Sequence, residues 1–151
     1  MKFLVSTLLL AISNLAVAAL SPEATSQLIE KATQVQKRAY APYSNYLVGA
    51  ALITSSGKIF TGCNVENASY GLSNCAERTA VFKAVSEGER DIEAIVIMTK
   101  EGSLSCGACL QVLHEFSPTM LVIAVDQRGK IHHQTTLGHL MPHAFGSVNA
   151  H

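Results

Sequence analysis

The chain has 151 residues, 48% hydrophobic and 15% charged, and its 11 basic and 11 acidic side chains give a formal net charge of zero. That length fits one domain of ordinary size, and so apolar a composition excludes a disordered tail. Balanced charge without a basic stripe speaks against a nucleic-acid-binding surface, so the expected partner is a small molecule that is not polyanionic.

The first stretch, "MKFLVSTLLLAISNLAVAAL", carries Lys2, an apolar run from Phe3 to Ile12 and the small-x-small triplet Ala16-Val17-Ala18. This is the pattern of a secretory leader and its cleavage site. Residues 1–18 are therefore expected to be a signal peptide, and residues 19–151 a near-neutral mature domain without a membrane span. Next, Ser21-Pro22-Glu23 supplies an N-cap, a first-turn proline and a first-turn acid, ahead of Leu28, Ala32, Val35 and Ala39 at helical spacing. The prediction is a helix over about residues 22–40, broken by "APYSNY". "LVGAALITSSGKIFTGCNVEN" then reads as two strands about the Ser55-Ser56-Gly57 turn, an antiparallel hairpin.

From Cys75, the apolar positions Ala80, Val81, Ala84 and Val85 predict a second helix that ends near Gly88. Ile92 to Met98 is a run rich in β-branched residues, polar only at Glu93, of the kind found in a strand buried on both faces. A helix over about 106–116 follows, then the buried strand "MLVIAV", the turn "DQRGK" and a weaker strand at Ile131 to Thr135. This alternation predicts an α/β fold with right-handed crossovers and helices on both sides of the sheet.

Four cysteines in an exported chain could form two disulfides, in any of three pairings. Their spacing favours another use. Cys106 and Cys109 form a C-x-x-C just before an apolar helical pattern, and Cys75 also sits where a helix begins. Helix N-termini stabilise thiolates, and thiolates are soft ligands that suit zinc. With Cys75, Cys106 and Cys109 as ligands, zinc keeps its fourth tetrahedral position open, which is the mark of a catalytic site. A closed structural site that adds Cys63 is the non-enzymatic alternative, and otherwise Cys63 reads as a small buried residue. Taken alone, Glu77 is a first-turn acid favoured by the helix dipole, with Asn74 as the cap. Beside an open metal position, a carboxylate there has a specific task, which is to move a proton between water, substrate and leaving group. His139 and His143 are four apart, but without a partnering carboxylate they read as solvent-exposed.

"CAERTA", "SCGACLQ", "NVENASYG" and "YAPYSNYLVGAAL", in their order over about residues 26–146, resemble the small cytidine deaminases. The resemblance implies a three-layer α/β/α fold around a five-stranded mixed sheet. It also implies one zinc per subunit on Cys75, Cys106 and Cys109, and Glu77 as the proton shuttle in hydrolytic deamination of cytidine and deoxycytidine, a step of pyrimidine salvage. Arg78 of the "CAER" motif would donate to a thiolate and offset the surplus negative charge that three thiolates leave on the zinc. Asn64 and Glu66 of "NVEN" would hold the ribose hydroxyls. Tyr46 would stack on the base, Ala76 would complete the pocket, and Tyr70 and Phe145 would close it across subunit boundaries of a homotetramer. An intact "NVENASYG" favours plain nucleosides over the alternative of a related aminopyrimidine nucleoside.

Two places depart from the family pattern. Ser105 stands where proline is usual and is expected to cap the helix instead, while Leu110 replaces an arginine and so removes a positive charge near the metal. Localisation is divided: the leader suggests export, whereas family precedent suggests the cytoplasm. Asn67-Ala68-Ser69 is a glycosylation sequon beside the expected ribose site, which fits poorly with passage through a glycosylating compartment.

Overall fold

The computed structural model describes residues 20–146, so the expected leader at 1–18 and its cleavage site lie outside the described residues. Helix α1 spans Pro22–Gln36, and the Ser21 side chain caps it by accepting from the Ala24 N–H at 3.1 Å. It ends short of the expected residue 40. Gln36 is buried, and its Nε2 donates to the carbonyls of Leu47 at 2.9 Å and Met98 at 3.3 Å, pinning the last turn to the sheet. The chain then leaves the helical path, and Tyr40 pairs with Val65.

The hairpin is β1, Gly49–Thr54, and β2, Ile59–Cys63. Helix α2 is Ala76–Ser86, β3 is Ile92–Met98, α3 is Gly107–Phe116, β4 is Leu121–Val125 and β5 is Ile131–Thr136. A single 3-10 turn at Tyr70–Leu72 and a one-turn helix α4 at Leu137–Leu140 complete the described residues. The five strands form one mixed sheet in the order β2-β1-β3-β4-β5. Only β3 and β4 run parallel, and α3 makes the crossover between them.

Alternation along the strands sorts the core into two layers. Ala51, Ala94, Val96, Met98 and Ile123 pack against Leu28 and Ala32 of α1. Ala50, Leu52, Ile95, Ile97 and Val122 pack on the opposite face against Ala80, Val81 and Ala84 of α2 and Leu113 of α3. β4 and residues 94–98 of β3 are covered on both faces, which is why both read as unbroken apolar runs, while Glu93 near the start of β3 is exposed. The fold is the expected three-layer α/β sandwich.

A close approach at Gly62 fixes where α2 begins. A Cβ there would lie 2.4 Å from both the Ala76 carbonyl and the Ala80 N–H. Only glycine lets β2 lie directly against the first turns of α2, and that contact places the helix start at the end of the sheet.

Candidate metal centre and substrate cavity

α2 and α3 both begin on a cysteine. Cys75 and Cys106 are the N-cap residues, each in extended backbone conformation and neither making a side-chain capping bond. Asn74 and Ser105 therefore do not serve as caps, contrary to expectation. The Asn74 amide donates instead to Thr79 Oγ1 at 3.1 Å, and the Ser105 hydroxyl is buried without a hydrogen-bond partner. The physical reason lies in the cysteines: each occupies the capping position, and its sulfur turns away from the helix toward the other sulfurs. Leu110, the other departure, packs its side chain onto the apolar cluster between the sheet and the two helices.

Cys75, Cys106 and Cys109 bring their sulfurs within 4.8 Å of one another, and the sulfurs of Cys75 and Cys106 stand 4.0 Å apart. A tetrahedral zinc with bonds of about 2.3 Å holds its sulfurs about 3.8 Å apart, so this donor set fits the ion with little adjustment. All four cysteines are free thiols, and Cys63 stands outside the group. Neither the two-disulfide reading nor the closed four-cysteine reading is therefore what the described residues show.

Electrostatics point the same way. The Cys75 thiol is pulled down to about 5, first by hydrogen bonding with Cys109 and then by Arg78, whose Nη2 donates to its sulfur at 3.5 Å. The same partnership, together with burial, pushes Cys109 up. Three sulfurs this close cannot all ionise by themselves; a divalent cation among them is what permits it. The partial positive charge at the two helix N-termini adds to that of Arg78.

Glu77 is the second residue of α2 and only 4% exposed. Burial is the main cause that raises its carboxyl, and the neighbouring Cys75 charge adds to the effect. The Ser105 hydroxyl lies near enough for its dipole to oppose that rise. Glu77, Cys75 and Cys106 all open onto one cavity of about 450 Å³, so the acid and the sulfur cluster share a chamber.

The cavity also takes in Tyr46, Asn64, Glu66 and Ala76, as the sequence led us to expect. Asn64 and Glu66 lie in extended chain just past β2, with Val65 between them bridged to Tyr40 and Asn74. Both are held by the segment before β1. Asn64 Oδ1 accepts from the Val48 N–H and its Nδ2 donates to the Tyr46 carbonyl, each at 2.8 Å. Glu66 accepts from the Tyr43 N–H at 2.8 Å, the Ser44 N–H at 3.2 Å and the Ser44 hydroxyl, which together hold its carboxyl below the ordinary range, the hydroxyl most of all.

Tyr70 and Phe145 are not brought to the cavity within one chain, being 74% and 88% exposed. Tyr70 meets Tyr43 edge to face at 5.7 Å, over a second hollow of about 310 Å³ that shares Ser44, Glu66 and Ser73 with the first. Phe145 is tethered by Gln111, which donates to its carbonyl at 2.8 Å and accepts from its N–H at 3.2 Å.

The sequence reading missed the part of the lining contributed by Thr99, Ser103 and Leu104 of the loop between β3 and α3. The available signal was the Thr99-Lys100-Glu101-Gly102 turn that ends the apolar strand; Thr99 Oγ1 accepts the N–H groups of Gly102 and Ser103 at 2.9 and 2.8 Å.

Residues 22–125 match the family described as the cytidine and deoxycytidylate deaminase zinc-binding region. A cytidine deaminase of Halalkalibacterium halodurans is 47% identical over 120 residues, covering 78% of this chain and 91% of its own. Among solved structures, cytidine deaminase from Burkholderia pseudomallei superposes with a TM-score of 0.76 at 49% identity, covering 80% of this chain and 98% of that one. The Mycobacterium tuberculosis enzyme gives 0.71 at 39% identity, covering 81% and 97%.

Proposed function

Since the chain belongs to the cytidine and deoxycytidylate deaminase family, we propose that it hydrolyses the amino group from cytidine and deoxycytidine, giving uridine or deoxyuridine and ammonia, in pyrimidine salvage. One zinc per chain is held by Cys75, Cys106 and Cys109. When bound, it supplies the Lewis acidity that makes water nucleophilic at neutral pH. Glu77 does the proton work. Its carboxylate takes a proton from the attacking water and passes it to the pyrimidine N3; it then takes the proton of the new C4 hydroxyl and hands it to the amino group, which leaves C4 as ammonia while the C4 carbonyl forms.

Burial suits Glu77 to both roles, because raising its carboxyl narrows the gap between its protonated and ionised forms, so that it can both take up and return a proton. Arg78 balances charge at Cys75. Asn64 and Glu66 receive the ribose: Glu66 offers carboxylate oxygens to a diol, and Asn64 fixes the wall behind it. Tyr46 covers the base, and Ala76 gives the floor at the helix start. One observation carries this reading: the buried Glu77 carboxyl lines the same cavity as Cys75 and Cys106, two members of the sulfur triad, and that cavity is large enough for a nucleoside. Mixing the purified chain with cytidine should give a steady loss of ultraviolet absorbance that stops on zinc chelation and returns with zinc. Loss of absorbance with free cytosine or with a phosphorylated nucleotide but not with cytidine would overturn the substrate assignment.

The assembly we propose is a homotetramer with shared active sites. Tyr70, Leu72, Phe82 and Phe145 are large, apolar and exposed, and Tyr70 flanks the hollow next to the cavity. Light scattering should give the mass of four chains; a single-chain mass together with full activity would exclude shared sites. For location, no described helix is long and apolar enough to cross a membrane. We propose export with removal of residues 1–18, to be read from the mass of the native N-terminus; an intact leader would return the enzyme to the cytoplasm.

A further inference from the structure

Tyr46 lines the cavity, and its phenol is tied to a side chain outside the lining. Its phenol donates to Glu101 Oε1 at 2.8 Å, and Ser103 Oγ donates to the same oxygen at 2.9 Å. Glu101 is an exposed residue of the loop between β3 and α3. Tyr46 comes from the segment before β1 and Ser103 and Leu104 from the loop between β3 and α3, and all three line the cavity. A single carboxylate oxygen therefore joins two segments of the lining that are far apart in sequence.

The loop does not need this bond for its own shape. Thr99 Oγ1 fixes the turn, Glu101 pairs through its backbone with Asp126, and the His132 ring lies against Gly102, where a Cβ would come within 2.5 Å of it. Gly102 has φ +80°, which the turn requires. With the backbone settled by these contacts, the Glu101 side chain is free to act on Tyr46. Hydrogen bonding from Tyr46, and then from Ser103, holds the Glu101 carboxyl below its ordinary range, so an ionised acceptor meets the phenol at neutral pH.

We propose that Glu101 is a positioning residue for nucleoside binding, fixing the Tyr46 ring in the cavity lining by bracing its hydroxyl to the loop that leads into Cys106. A ring held in place before substrate arrives loses less side-chain freedom on binding, which lowers KM and leaves the chemical step alone. The inference rests on the proposed nucleoside activity.

Its test is steady-state kinetics on cytidine, with the inhibition constant of the product uridine and the zinc content, for Glu101→Ala, Glu101→Gln, Tyr46→Phe and the Tyr46→Phe/Glu101→Ala pair. Glu101→Ala should raise KM and the uridine constant about three- to tenfold, with kcat within about twofold and zinc unchanged. Glu101→Gln keeps an acceptor oxygen and should recover most of the loss. Once Tyr46→Phe has removed the donor, Glu101→Ala should add nothing. Additive effects of the pair, or a fall in kcat and zinc at constant KM, would overturn the proposal. A wild-type enzyme active on cytidine whose Glu101 variants match it would overturn this inference alone, whereas a wild type that neither turns over cytidine nor binds uridine would remove the nucleoside activity and this inference with it.

Discussion

Replacing Glu77 by glutamine lowers cytidine turnover by about a hundred- to ten-thousandfold, the usual contribution of a positioned proton-transfer group, while zinc stays bound at one per chain. The reason is geometric. Glu77 is not one of the clustered ligands, so Glu77→Gln leaves the three sulfurs and Arg78 untouched. The amide fills the same space on the first turn of α2 but cannot carry a proton. Nor should the fold suffer. The carboxyl is buried and raised mainly by that burial, so the neutral amide is at least as well tolerated there. Ultraviolet assay and metal analysis on the same sample check both halves. Turnover within tenfold of the parent, or a loss of zinc along with activity, would show that Glu77 is not the proton carrier.

Much of this could be read from the chain because local pattern and global fold agree. β4 is apolar throughout and β3 from Ala94 onward because α1 covers one face and α2 with α3 the other, and the starts of α2 and α3 are marked by cysteines followed by helical spacing. What sequence spacing cannot show is convergence. Cys75 and Cys106 meet because β2 lies against α2 at Gly62 and β3 feeds the loop into α3, and nothing between the two cysteines announces it. Resemblance supplied that link.

The misreadings have a common cause in tertiary contacts. α1 stops at Gln36 although Ala39 continues its spacing, because the Gln36 amide serves the sheet. Asn74 and Ser105 look like caps, yet the cysteines take that position. α4, with four residues, is too short to carry a period. The partner of Tyr46 lies 55 residues further on, beyond any local signal.

The second large effect is expected at the metal ligands. Cys109→Ser should weaken zinc by roughly a thousandfold or more, since apparent zinc affinities of about 10 to 16 kcal/mol are spread over few ligands and a hydroxyl does not replace a thiolate. Cys109 is fully buried at the centre of the site, and no neighbouring group can take its place. Activity should disappear with the metal. Cys63→Ser, by contrast, should keep one zinc per chain and full turnover, because Cys63 lies outside the cluster. The proposed reaction requires an open coordination position next to Glu77, and the zinc-edge X-ray absorption spectrum of the wild-type protein tests it most directly. The expected spectrum has three sulfur neighbours at about 2.3 Å and one lighter neighbour at about 2.0 Å, identical in Cys63→Ser. Four sulfur neighbours in the wild type, falling to three in Cys63→Ser, would mean a closed structural site and contradict the deaminase chemistry.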